Sequence, residues 1–215
     1  MYNSAPYVSV INNFSDTNQP TKTKKQLTTE ELIARCKSGD AQGQSCLVRT
    51  YAPRLMAICR RYTKDPASAQ DALQETFINT FKYINSYSGK GSFEGWLKRI
   101  AVNCSLAFAK KVHPVYFVDE TPDSQYQMSE VPDAYSNLGK EEIMKLLKRL
   151  PESLYIVFNL VIIEGYNHRE VGEMLGITEG SSRGSLSRAR SKLIEILQSE
   201  NAIGLDSKKK LIANS

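Results

Sequence analysis

Apolar residues recur along this chain at helical spacing. Leu47, Tyr51, Leu55, Ile58 and Cys59 stand three or four positions apart, as do Ala69, Leu73, Phe77 and Phe81. Trp96, Leu97, Ile100, Ala101 and Cys104 form a third stripe, and Ile143, Leu146, Leu147 and Leu150 a fourth. Near the end, Val171, Met174 and Leu175 precede Leu186, Ala189, Leu193 and Leu197. Each set marks one buried face of a helix. No segment alternates with period two beside turn chemistry, so the pattern predicts an all-α fold.

Helix boundaries follow from the residues between the stripes. Thr28 or Thr29 can cap a first helix that carries Glu30 and Glu31 in its first turn, and Ser38-Gly39-Asp40 ends it. A second helix runs from about Gln44 to Tyr62, with Pro53 expected to start or kink a helix there. Asp65 caps, and Pro66 begins, a third helix from Ala67 to about Ile84. After a loop bearing Tyr87 and Lys90, a fourth spans Phe93 to about Lys111. The stretch His113 to Leu138 then holds Pro114, Pro122 and Pro132 and five acids without Lys or Arg, which reads as a flexible acidic linker.

Order is expected to return at Gly139. Pro151 opens a helix from Glu152 to Ile163 that is apolar nearly all round, and so central to its domain. Asn167 then caps a helix, Gly176 supplies a turn, Ile177 plugs the core, and Thr178 caps a last helix with Glu179 in its first turn. The expected organisation is a disordered tail over 1–26, a helical domain over 27–111, the linker over 112–138, a second helical domain over 139–198, and a polar tail over 199–215.

Composition narrows the class. The chain has 215 residues and a formal charge of +5, compatible with nucleic acid but not evidence for it. Its four cysteines, Cys36, Cys46, Cys59 and Cys104, show no CxxC pair and no metal-ligand spacing to His113 or His168. They read as reduced thiols of a cytoplasmic protein, the rival reading being a thiol redox sensor. No apolar run approaches the roughly 20 residues of a membrane span, and no signal pattern opens the chain. No metal or cofactor is expected.

Two constellations could carry function. On the last helix, Ser181, Ser182, Arg183, Ser185, Ser187, Arg188 and Arg190 are left for solvent or DNA once the apolar stripe faces inward. Hydroxyls and arginines near a helix N-terminus suit base edges and phosphates in the major groove. The plainer reading is a solvated basic helix. Around the central loop, Tyr83, Tyr87, Phe93 and Trp96 interleave with Lys82, Lys90, Lys98 and Arg99, the chemistry of single-strand binding. Trp96 lies on the apolar stripe and reads as core, leaving Tyr87 and Phe93 as the better contacts.

Three ordered motifs resemble one family. Asp65 to Phe77 (DPASAQDALQETF), Gly91 to Asn103 (GSFEGWLKRIAVN), and Leu150-Pro151-Glu152 followed by Glu164-Gly165-Tyr166 and the helix-turn-helix are similar to bacterial extracytoplasmic-function (ECF) sigma factors. The resemblance covers roughly Leu27 to Leu197. It implies region 2 over 27–111, region 4 over 139–198, and a transcription initiation factor rather than an enzyme.

By that resemblance Asp71, Gln74, Glu75 and Asn79 would dock on core RNA polymerase. Tyr87, Lys90, Ser92, Phe93, Lys98, Arg99, Asn103, Lys110 and Lys111 would read and melt the −10 element as single-stranded DNA. Ser181, Ser182, Arg183, Ser185, Arg188 and Arg190 would read the −35 duplex. The acidic linker would thread the polymerase cleft, against the plain alternative of a spacer. An anti-sigma factor is a further partner consistent with two domains and no inhibitory segment. The chain departs from the family in Gly184, which costs a helix interior roughly 0.5–1 kcal/mol relative to Ala, and in Ser105 to Lys111, where an Asp and Arg pair is common.

Two other classes compete. A free-standing helix-turn-helix regulator, dimeric on duplex DNA, leaves the Asp71–Glu75 face and the aromatic loop without purpose. An enzyme using Cys104 and His113 lacks a third orienting group.

Overall fold

The computed structural model describes residues 27–112 and 145–213, all in helices and the turns between them. The expected N-terminal tail and the linker from His113 to Leu138 lie outside the described residues, as do residues 139–144. The chain divides into two compact units between Pro114 and Val115, and each stands by itself below.

In the first unit α1 spans Thr29–Lys37, α2 Ala41–Tyr62, α3 Pro66–Tyr83 and α4 Phe93–Val112. Each start has a local cause. Thr28 and Glu31 form a reciprocal box: the Glu31 amide donates to Thr28 Oγ1 at 3.2 Å, and the Thr28 amide to Glu31 Oε2 at 2.9 Å. Asp40 caps α2 through the Gln42 amide at 2.9 Å, so that helix begins three residues earlier than its apolar stripe suggests. Asp65 caps α3 through the Ser68 amide at 2.8 Å, with Pro66 in the first turn.

Pro53 neither starts nor breaks α2, which continues through it to Tyr62. Its ring is exposed, as is Arg49 one turn earlier, so the carbonyl deprived of its amide partner lies on the solvent side. α2, α3 and α4 pack against one another, and α1 lies on α2. Leu47, Leu55, Leu73, Phe77 and Leu97 are fully buried among them. Each such side chain contributes about 1.5–3 kcal/mol by leaving water. The buried hydroxyls of Thr76, Thr80 and Ser105 donate to carbonyls one turn back, at 2.6, 2.8 and 2.7 Å, so none costs an unmade bond.

In the second unit a helical turn over 145–147 precedes α5 (Glu152–Phe158), a π-helical turn over Asn159–Ile163, α6 (His168–Leu175) and α7 (Glu179–Ala213). Leu146, Leu147, Leu150, Ala189 and Ile196 form one core, lined by Leu154, Tyr155, Phe158, Leu193 and Leu197. The segment 152–163 is not uniformly central. Regular helix stops at Phe158, and the wider turn that follows carries Ile162 and Ile163 outward, each 44% exposed. Nor does α7 stop near Gln198: its backbone stays helical to Ala213 through the expected polar tail, a stretch free of proline.

Candidate nucleic-acid interface

In the first unit a short loop delivers the aromatic side chains. A 3-10 turn over Ile84–Ser86 ends α3, and the Tyr87 amide donates to the Ile84 carbonyl at 3.2 Å. Gly89 and Gly91 adopt φ of +77° and +79°, a left-handed backbone that lets the loop reverse. Two bonds hold Tyr87: its hydroxyl donates to the Gly91 carbonyl at 2.9 Å, and Lys37 Nζ of α1 donates to the Tyr87 carbonyl at 3.0 Å. Ser92 Oγ accepts from the Gly95 amide at 3.0 Å and so starts α4.

The aromatic cluster reverses two expectations. Phe93 is 4% exposed and is core, packed edge-on against Tyr51 at 5.8 Å and against Tyr87 at 5.2 Å. As the first residue of α4, where the sequence also starts that helix, its side chain turns inward over α2 instead of outward as a contact. Trp96, expected in the core, is half-buried instead; it stacks on Phe93 at 5.7 Å and leans on Tyr87 at 5.5 Å. The accessible rings are therefore Tyr87 and Trp96, with Phe93 as their floor. Tyr83 stands apart, 48% exposed, with Lys82 Nζ 5.1 Å from its ring centre.

Of the expected cations and polar groups, Lys90, Ser92, Arg99 and Asn103 are exposed; the side chains of Lys110 and Lys111 lie outside the described residues. Lys98 is engaged, with Nζ 3.1 Å from Glu94 Oε1. Lys98, and then Arg54, hold the Glu94 carboxyl below the usual carboxylate range. Arg54 and Lys37 are absent from the sequence-derived set. Both act across about 40–50 positions of chain, a juxtaposition that no local period encodes.

On α3, Asp71 is exposed, while Gln74, Glu75 and Asn79 are half-buried. Asn79 Nδ2 donates to Glu75 Oε1 at 3.1 Å and to Cys104 Sγ at 3.4 Å, so the lower half of this face also ties α3 to α4. The cysteines are free thiols. Burial pushes Cys36 up to about 12 and Cys59 up to about 11, and raises Cys104 as well. Thiols so raised are poor nucleophiles at neutral pH, which tells against the enzyme reading built on Cys104. Among the described residues no group of acids, cysteines and histidines is placed to hold a metal ion.

The second unit builds the helix-turn-helix as its caps predict. The Glu170 amide donates to Asn167 Oδ1 at 2.9 Å and the Asn167 amide to Glu170 Oε2 at 3.0 Å. Gly176 takes φ +74° and its amide closes on the Gly172 carbonyl at 2.8 Å. Thr178 Oγ1 accepts from the Ser181 amide at 3.0 Å to start α7. Gly172 is where the turn folds back: a Cβ there would stand 2.7 Å from the Ile177 carbonyl oxygen.

The serines are not on the outer face. Ser181, Ser182 and Ser185 are all buried. They share the α7 stripe of Leu186 and Ala189, where small side chains let α6 approach closely. Ser182 Oγ lies 2.9 Å from His168 Nδ1, Thr178 Oγ1 donates to Ser181 Oγ at 2.9 Å, and Ser185 Oγ accepts from an Arg188 Nη at 3.3 Å. Burial, then Arg183, depresses the His168 pKa, with Arg190 adding and Glu179 opposing. What α7 presents outward is Arg183, exposed and paired with Glu179, with half-buried Ser187 and Arg190 at successive turns of one face. Arg188 is half-buried and braced on Ser185.

A sigma-70 region 2 family model matches residues 47–112, and a sigma-70 region 4 model matches 140–193, together more than half of the chain. The chain belongs to the ECF sigma factors. It is 27% identical over 180 residues to the ECF RNA polymerase sigma-E factors of Salmonella typhimurium and Escherichia coli, spanning 79% of this chain and 94% of theirs. It is 25% identical over 185 residues to the RNA polymerase sigma-H factor of Pseudomonas aeruginosa, spanning 79% of this chain and 93% of that one. A solved structure of CnrH in complex with the cytosolic domain of CnrY is similar at a TM-score of 0.46 and 21% identity, over 78% of this chain and 96% of that one. Sigma factors direct promoter-specific transcription initiation and are not catalytic enzymes. Among the described residues no helix of this ECF sigma factor is long and apolar enough to cross a membrane.

Proposed function

We propose that this sigma factor binds core RNA polymerase through the α3 face around Asp71, with Gln74, Glu75 and Asn79 at its margin. In the cytoplasm the holoenzyme would read the −35 element as duplex with Arg183, Ser187 and Arg190 of α7. It would capture an unpaired −10 base on Tyr87 and Trp96, while Lys90, Lys98, Arg99 and Asn103 hold the strand. The region 2 unit corresponds to 27–111 and the region 4 unit to 139–198, with the acidic linker threading the polymerase between them. An anti-sigma factor is the further partner that the family implies.

The observation that carries the reading is the pair Tyr87 and Trp96, accessible together on a buried Phe93 beside exposed cations. Extruding a base costs a few kcal/mol. Stacking returns about 1–3 kcal/mol per base, a sum comparable to that cost. Reconstituted holoenzyme on a promoter recovered from its own bound DNA tests this by permanganate reactivity of unpaired thymines. Wild-type protein opens the −10 region and Trp96→Ala with Tyr87→Ala does not. Failure of the chain to co-purify with core polymerase would refute the reading.

A further inference from the structure

Two basic side chains from different helices converge on one carboxylate next to the aromatic cluster. Arg54, on the outer side of α2, brings Nη1 to 2.8 Å from Glu94 Oε2; Lys98, one turn along α4, brings Nζ to 3.1 Å from Glu94 Oε1. The fork is open to solvent, its side chains 63% (Arg54), 44% (Lys98) and 33% (Glu94) exposed. Glu94 directly follows Phe93 and lies two positions before Trp96, so the fork shares the first turn of α4 with the rings.

We infer that Arg54 and Lys98 form a seat for a backbone phosphate of single-stranded nucleic acid, which Glu94 occupies while no strand is bound. The inference rests on the strand-capture reading and adds to it a cation from α2 and an internal competitor. An acid in the first turn of α4 is favoured by the helix dipole, which accounts for a carboxylate at position 94. It does not account for Arg54 reaching across from another helix. A carboxylate held by a guanidinium and an ammonium presents two oxygens to the donors that would grip a phosphodiester. Exposed ion pairs are weak and salt-screened, so an incoming phosphate can displace this one. The exchange replaces one anion by another, so stray nucleic acid gains little from the seat. A strand also held by the rings completes the exchange.

The test is binding of a fluorescent oligothymidylate to holoenzyme made from full-length chain and core polymerase, titrated between about 50 and 200 mM salt. Glu94→Gln should bind roughly threefold more tightly at the low-salt end, with a log–log salt slope steeper by about 0.7, one added phosphate contact on a single strand. Arg54→Ala in that background should return the slope to the wild-type value. Glu30→Gln, the same charge change at an exposed acid outside the fork, should leave the slope unchanged.

Equal slopes for Glu94→Gln and wild type, or for Glu94→Gln with and without Arg54, would overturn the seat. Arg54→Ala alone lies on an exposed face and should make the slope shallower. An unchanged slope there overturns the seat even where Glu94→Gln does not fold. Wild-type holoenzyme that binds the strand no better than core polymerase would overturn strand capture and the seat together. Binding by wild type with no response to Glu94→Gln removes the seat alone.

Discussion

His168 Nδ1 and Ser182 Oγ lie 2.9 Å apart and join the two helices of the helix-turn-helix through a side chain that is wholly buried on the α7 side. The folded state disfavours the imidazolium, because burial and then Arg183 hold the His168 pKa below its ordinary 6.5. The unfolded chain therefore takes up this proton first as pH falls. Stability is indifferent to the group well above pH 6.5 and declines as pH drops from there towards the lower folded value. Hydrogen exchange of α6 and α7 amides in the full chain should accelerate over that window, and His168→Gln should flatten the dependence. A pH-independent wild-type profile would contradict the assignment.

Gly172 tests the turn. Alanine there would press its Cβ against the Ile177 carbonyl oxygen at 2.7 Å, a backbone atom that moves only with the turn. Gly172→Ala should cost about 1–3 kcal/mol in denaturant unfolding, as overpacked sites do. It should also weaken duplex binding more than Gly184→Ala, whose added methyl meets nothing within 4 Å.

Phe93 and Trp96 separate stability from binding. Phe93→Ala empties a core site and should cost about 3–5 kcal/mol of stability, and Phe93→Leu should recover most of it. Trp96→Ala should unfold close to wild type yet lose about 1–3 kcal/mol of single-strand binding. The opposite ordering in paired melting and oligothymidylate titrations would return Phe93 to the surface.

Arg183 and Ser182 make a similar contrast on α7. Arg183→Ala should lower the salt slope of duplex binding by about 0.9, one released counterion. Ser182→Ala should leave that slope unchanged while lowering stability by about 0.5–1.5 kcal/mol, the net worth of its contact with His168.

Asp71 isolates the polymerase face. Asp71→Lys should abolish co-purification with core polymerase without altering the melting transition, since the side chain is exposed. Glu75→Lys should abolish co-purification and also lower the melting transition, because Glu75 receives Asn79, which ties α3 to α4.

Most helix starts were legible because they are written within four residues, Thr28 with Glu31, Asp65 with Ser68 and Asn167 with Glu170; the Asp40 cap of α2 was missed because Ser38-Gly39-Asp40 also reads as the end of α1. The apolar stripes located the cores for the same reason. What escaped was side-chain direction at places where two periods overlap. Phe93 opens α4 as the sequence indicates, yet only the packing of Tyr51 against it decides whether its ring faces core or solvent. Ser181, Ser182 and Ser185 are polar by type, yet they occupy the stripe of Leu186 and Ala189, where size outweighs polarity because α6 packs there. Arg54 was invisible because its partner lies 40 positions away.

Lys37 directs its ammonium at the Tyr87 carbonyl rather than towards solvent, and so braces the loop from a helix at the other end of the unit's sequence. That helix, residues 29–37, precedes the span 47–112 that marks region 2 of the family. The side chain that braces the ring-bearing loop thus lies outside the span that matches region 2 of the family. A substitution at Lys37 would loosen the Tyr87 loop without touching any residue of that span.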